Sequence, residues 1–97
     1  MPYKIEVPSL AVQEIVEAFD WYELQREGLG MEFLSDIELF SESLLRNPNA
    51  YSFYEEPVRQ GRLSRFPYNV IFEVVQYNIV IYSVFMAKQD SNKKGIR

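Results

Sequence analysis

The hydrophobic pattern changes period along the chain, and each change marks an element. Tyr3, Ile5 and Val7 alternate with Lys4 and Glu6 between Pro2 and Pro8, which predicts a short half-buried strand. From Ser9, read as an N-cap, apolar residues recur at spacings of three and four: Leu10 or Ala11, Ile15, Ala18, Phe19 and Tyr22. Glu14, Glu17, Asp20 and Glu23 take the opposite side, so the stretch predicts an amphipathic helix ending near Glu27. Gly28-Leu29-Gly30 then reads as a C-cap and tight turn, because paired glycines weaken a helix interior. Phe33, Leu34, Ile37, Phe40, Leu44 and Leu45 restore the helical period until Asn47-Pro48-Asn49 stops it.

Beyond Tyr51 the pattern becomes that of strands. One is predicted within Val58 to Arg65, a second from Tyr68 to Val75 and a third from Ile79 to Phe85, with Gln76-Tyr77-Asn78 as the hairpin between the last two. The expected fold is α+β and two-layered: an N-terminal strand, an antiparallel helical hairpin, then a three-stranded antiparallel meander. The last two strands carry apolar residues in both parities, as in Val70, Phe72 and Val74 against Ile71 and Val75. One helical hairpin covers one face of a sheet. The other face is therefore expected to offer a partly apolar surface to a partner.

Length makes this one domain, residues 1–97, with 89–97 expected to be a flexible tail because its only large apolar residue is Ile96. The 47% hydrophobic content argues for a folded globule. There is no cysteine, which excludes disulfides and thiolate metal sites, and no histidine, which removes the commonest general base and metal ligand. No cofactor or metal is expected. Neither a signal peptide nor a membrane-length apolar run is visible, so a cytoplasmic protein is expected.

Charge is divided. The net charge is −4, yet residues 1–56 hold twelve acidic and three basic side chains, whereas residues 57–97 hold two acidic and seven basic. A cationic face can thus exist on an acidic chain, although repulsion from the acidic half weakens any affinity for bulk nucleic acid.

The cations concentrate in Arg59, Arg62 and Arg65, which lead into Phe66-Pro67-Tyr68. Guanidinium groups suit phosphate or carboxylate recognition. On a regular strand Arg59 and Arg65 share a face that Arg62 opposes, unless a bulge at Gly61 resets the alternation. The alternative is that the three charges only protect a sheet edge. Tyr54, Tyr68, Tyr77 and Tyr82 are candidate stacking or acid-base groups. The carboxylates of Glu14, Glu17, Glu23 and Glu27 read as solvated helix surface. Gly28-Leu29-Gly30 lacks the preceding strand, third glycine and lysine of a phosphate loop.

Four short segments stand in order within this pattern: Ala18-Phe19-Asp20-Trp21-Tyr22-Glu23, Gly28-Leu29-Gly30-Met31-Glu32-Phe33, Asn47-Pro48 and Arg65-Phe66-Pro67-Tyr68. Together they resemble the RelE/ParE superfamily of type II toxin–antitoxin systems, also described as plasmid stabilization proteins, over nearly the whole chain. The resemblance implies a toxin neutralised by a small antitoxin. RelE-like members cleave messenger RNA on the ribosome, whereas ParE-like members poison DNA gyrase. The family pattern ends in a His, an Arg-Asp-Pro turn, a Trp and an Arg, where this chain has Met86, Gln89-Asp90-Ser91, Lys94 and Arg97. Only Asp90 and Arg97 match.

The resemblance therefore points to the ParE-like, non-nucleolytic kind. The alternatives are a ribosome-dependent mRNA interferase with an altered site, in which Arg59, Arg65, Lys88 and Tyr82 carry the chemistry, and a non-toxic protein-binding module of the same fold. The implied partners are an antitoxin and either gyrase or ribosome-bound mRNA. A homodimer through the helical hairpin or a free sheet edge is compatible with this surface.

Overall fold

The computed structural model describes residues 2–87. Strand β1 (Lys4–Glu6) leads into helix α1 (Ser9–Gln25) and helix α2 (Leu29–Arg46); a single 3₁₀ turn (Pro48–Ala50) then precedes β2 (Phe53–Glu55), β3 (Val58–Arg62), β4 (Tyr68–Val75) and β5 (Asn78–Met86). The strands form one sheet in the order β1-β5-β4-β3-β2. All neighbours are antiparallel except β1 and β5, which run parallel with Lys4 opposite Asn78 and Glu6 opposite Val80.

The expected α+β layering is present, with four differences of detail. Pro8, not Ser9, occupies the α1 N-cap position, and α1 ends at Gln25 rather than Glu27. Gly30 lies inside α2, so the interhelical turn is Arg26–Gly28, where Gly28 adopts φ +89°. Leucine at the first helical position, followed by Gly30, is tolerated because the gain is close packing: a Cβ on Gly30 would stand 2.8 Å from the Phe19 ring and from Glu23 Cγ. The third difference is β2, which adds a fourth strand to the meander. The last is that β3 stops at Arg62, leaving Arg65 in the connection to β4 rather than on a strand.

The core lies between the helices and one sheet face. Ala11, Ala18 and Tyr22 of α1 and Phe33, Phe40 and Leu44 of α2 meet Val70, Phe72, Ile79, Ile81 and Val84 of the central strands. Tyr22, Phe33, Phe66 and Tyr68 form an aromatic nest with ring centroids 4.9 to 6.2 Å apart. Edge-to-face and tilted contacts of this kind each add about 0.5–1.5 kcal/mol beyond the area they bury. Gly61 of β3 serves the same packing, since a Cβ there would meet the Phe40 ring at 2.6 Å.

A bulge explains the mixed parity of the last strand. Ile71 pairs with Ser83 but Phe72 pairs with Ile81, so Tyr82 is the extra residue. The alternation is reset there, and Val84 returns to the core side alongside Ile79 and Ile81.

Candidate functional site

Strand β3 pairs with β4 without a register shift, placing Arg59 opposite Phe72 and Arg62 opposite Asn69. Phe72 faces the helices, so Arg59 points inward and Arg62 outward. The Arg59 guanidinium donates to the Tyr51 carbonyl and lies 4.1 Å from the centre of the Phe53 ring. Arg65 sits near the other end of α2. Its guanidinium donates to Glu32 Oε1 at 3.0 Å, and Glu32 Oε2 accepts from Arg26 at 3.2 Å. The two guanidinium groups hold the Glu32 carboxyl below its usual range, Arg65 contributing most.

Tyr82 is at a third location, on the outer sheet face, where its hydroxyl donates to Glu73 Oε1 at 2.6 Å. That bond raises the hydroxyl's pKa above the ordinary tyrosine value. The structure therefore does not bring Arg59, Arg65 and Tyr82 together, and Lys88 lies outside the described residues. The outer face around Tyr82 is acidic rather than basic: an open hollow of about 420 Å³ is lined by Tyr54, Glu55, Glu56, Pro57, Val58, Ile71 and Tyr82. Among the described residues no group of three or more Asp or Glu side chains is placed to hold a metal ion.

Three carboxylates have roles that the sequence did not reveal. Asp36, on the buried stripe of α2 and 1% exposed, accepts at one oxygen from the backbone N–H groups of Arg65 (2.8 Å) and Phe66 (2.9 Å). Its other oxygen is buried without a hydrogen-bond partner among the described residues. The signal was its position, three residues after Phe33 and four before Phe40, on the face otherwise reserved for apolar residues. Glu23 accepts from the N–H groups of Gly28 (3.2 Å) and Gly30 (2.7 Å), so a side chain of α1 caps the start of α2. Glu14 accepts from Ser83 Oγ (3.0 Å) and the Val84 N–H (2.8 Å). The reading of Glu14 and Glu23 as mere solvated surface is thus corrected: each satisfies backbone donors on a neighbouring element.

Glu14 also borders the other large depression. An open groove of about 360 Å³ runs between α1 and the end of β5, lined by Glu14, Glu17, Ala18, Trp21, Tyr68, Val84, Phe85 and Met86. Trp21 is 51% exposed and Met86 49% exposed there, although both are large and apolar.

The structure is similar to a solved chain of the "Chromosomal ParDE TA system from P. aeruginosa", with a TM-score of 0.77 and 18% identity over 89% of this chain and 97% of that chain. The fold is that of a ParDE-system chain. The RelE/ParE resemblance of the four sequence segments is thereby met at the level of fold. No protein-family model and no curated protein matches the sequence. No helix among the described residues is long and apolar enough to cross a membrane.

Proposed function

We propose that this chain is the toxin component of a type II toxin–antitoxin pair, held inactive by a small partner protein, and that it acts in the cytoplasm in the ParE-like manner without cutting RNA. The observation that carries the reading is the near-complete fold overlap with a ParDE chain, reached from a sequence that resembles the same superfamily.

The non-nucleolytic part rests on the dispersal of the candidate groups. Cutting an RNA backbone requires a base at the 2′-hydroxyl and cations at the phosphate, all within a few ångströms. Here Arg59 is turned toward Tyr51, Arg65 toward Glu32, and the Tyr82 proton toward Glu73. The hollow beside Tyr82 is rimmed by Glu55 and Glu56, a poor field for an approaching phosphate.

Induced expression in a bacterium tests the proposal. Growth arrest, loss of supercoiling by purified gyrase on adding the protein, and intact transcripts are the expected results. Transcripts cut within codons, with cutting abolished in Arg65→Ala, would replace the reading with an mRNA interferase. Unimpaired growth would leave a protein-binding module of the same fold.

A further inference from the structure

The sheet face turned away from the helices carries opposite charges at its two ends. β3 runs along it with Val58, Gln60 and Arg62 pointing outward, opposite Glu73, Ile71 and Asn69 of β4. β2 adds Glu55 beside Val58, and β5 adds Val80 beside Glu73 and Phe85 beside Asn69. Three rows therefore cross the face. Glu55, Val58, Glu73 and Val80 form an acidic row, Gln60 and Ile71 an uncharged central row, and Arg62, Asn69 and Phe85 a basic row.

Neither end is neutralised within the chain. The ion pairs among the described residues are those of Glu32 with Arg26 and Arg65, so Arg62, Glu55, Glu56 and Glu73 take part in none. Arg62 stands exposed. At the acidic end, the hollow of about 420 Å³ is lined by aliphatic Val58 and Ile71, by Tyr54 and Tyr82, and by Glu55 and Glu56. Such a lining suits a guanidinium group, whose plane stacks on an aromatic ring while its N–H groups reach carboxylates. Apolar surface is also left open, with Tyr82 41% and Phe85 39% exposed.

We infer that two copies of this chain pair through their outer sheet faces, the Arg62 side chain of each entering the acidic hollow of the other. Symmetry selects this arrangement. Two sheets stacked face to face about a two-fold axis have that axis in the plane between them. An axis parallel to the strands would lay each row on its own copy, glutamate on glutamate. An axis across the strands, through the central row, reverses the order of the rows instead. Val58 and Arg62 are four residues apart, about 13 Å at the rise of a strand, with Gln60 midway. Each Arg62 then stands over Val58 of the second copy, between Glu55 and Glu73. Asn69 falls over Glu73, where its amide N–H groups meet a carboxylate, and Phe85 falls over Val80. At the axis like meets like, and there the row is uncharged. A foreign basic partner would answer the hollow but leave the basic row without a role. The face is small: four strands about 4.8 Å apart and about 25 Å long cover roughly 500 Å², less than the about 800 Å² per partner of a standard interface. The pair is therefore expected to be weak and to exchange with single chains. The inference goes beyond the toxin reading and does not depend on it, because it concerns the chain alone.

The test is sedimentation equilibrium of the full chain from about 10 μM to about 1 mM, the span of weak interfaces. The average mass is expected to rise from one chain toward two, and to rise less in high salt. Arg62→Glu and Glu55→Arg, both at exposed strand positions, are each expected to weaken self-association by about a hundredfold. Symmetry counts each lost contact twice, at about tenfold apiece. Mixed in equal amounts, the two variants are expected to regain the pair, because each reversed charge then faces the other and the native Arg62 faces the native Glu55. Amide spectra of each variant check that the fold is kept. A single mass at every concentration, a pair that both variants leave as tight, or a mixture without recovery would each overturn the inference. Amide shifts around Tyr82 and Glu73 on adding an arginine-containing peptide to a chain that stays single would give the hollow to a foreign basic partner, and would overturn it as well.

Discussion

Replacing Asp36 by alanine would strand two amide protons, the buried one of Phe66 and the part-buried one of Arg65, which now share one carboxylate oxygen. Each buried donor left without a partner costs about 1–3 kcal/mol. Asp36→Ala is therefore expected to lose about 1–3 kcal/mol in urea unfolding, most of it at the Phe66 amide, with little change in the slope of the transition. Asp36→Asn keeps an acceptor for both donors and should lose less, a comparison that separates hydrogen bonding from simple loss of volume. The same contact accounts for the aromatic nest, because the bond to the Phe66 N–H sets that ring 4.9 Å from Tyr22 and 5.6 Å from Phe33. A single polar atom on an apolar stripe thus determines where a connection runs and which ring it buries.

Among the elements, the loop after β3 is fastened to the helical hairpin by charge as well as by Asp36. Glu32 of α2 holds Arg26 in the turn after α1 and Arg65 in the loop before β4. With its pKa depressed by these partners, Glu32 contributes stability that is present above the usual carboxylate range and is lost as pH falls through the lowered value. In Arg65→Ala the Glu32 titration, followed by carboxyl NMR, is expected to move back up toward the ordinary range. It should stop short of it, since Arg26 remains. Because both partners are exposed, added salt should produce a shift in the same direction.

The helices and the long strands were legible because their apolar residues repeat with a period that local geometry imposes. Phe33, Phe40 and Leu44 mark α2 without any knowledge of what they touch. The ends were not legible. β3 stops at Arg62 because Asp36, some thirty positions earlier, draws the backbone of Arg65 and Phe66 toward α2, and no local pattern encodes that pull. β2 escaped for a different reason. It has three residues, all exposed, and three residues are too few to display an alternation. The arginine run was visible as charge, but its partition among Tyr51, Glu32 and solvent depends on register and on that loop, which only the assembled sheet defines.

For the molecule as a whole, alkaline pH probes the core. Burial, and secondarily the neighbouring Tyr22, push the Tyr68 hydroxyl up to about 12 from its ordinary value of 10.0. A raised tyrosine pKa means that the folded state keeps a proton the unfolded chain releases. This contribution is intact below pH 10.0 and is lost as pH rises toward about 12. Thermal unfolding of the wild-type chain is expected to fall steeply over that window, and Tyr68→Phe, which has no proton to lose, should show a shallower fall. An unchanged slope in the variant would mean that other tyrosines dominate.

The parallel pairing of β1 with β5 joins the two ends of the described chain across the sheet. This has a temporal consequence. During synthesis the first strand emerges early but has no neighbour until the residues opposite it, Asn78 to Val80, have also left the ribosome. Pairings so distant in sequence form late and slowly. The helical hairpin can assemble meanwhile, but the sheet stays incomplete until translation has nearly reached the end of β5. A chain built this way completes its sheet last, because the strand that closes one edge waits for a neighbour about seventy positions later in the sequence.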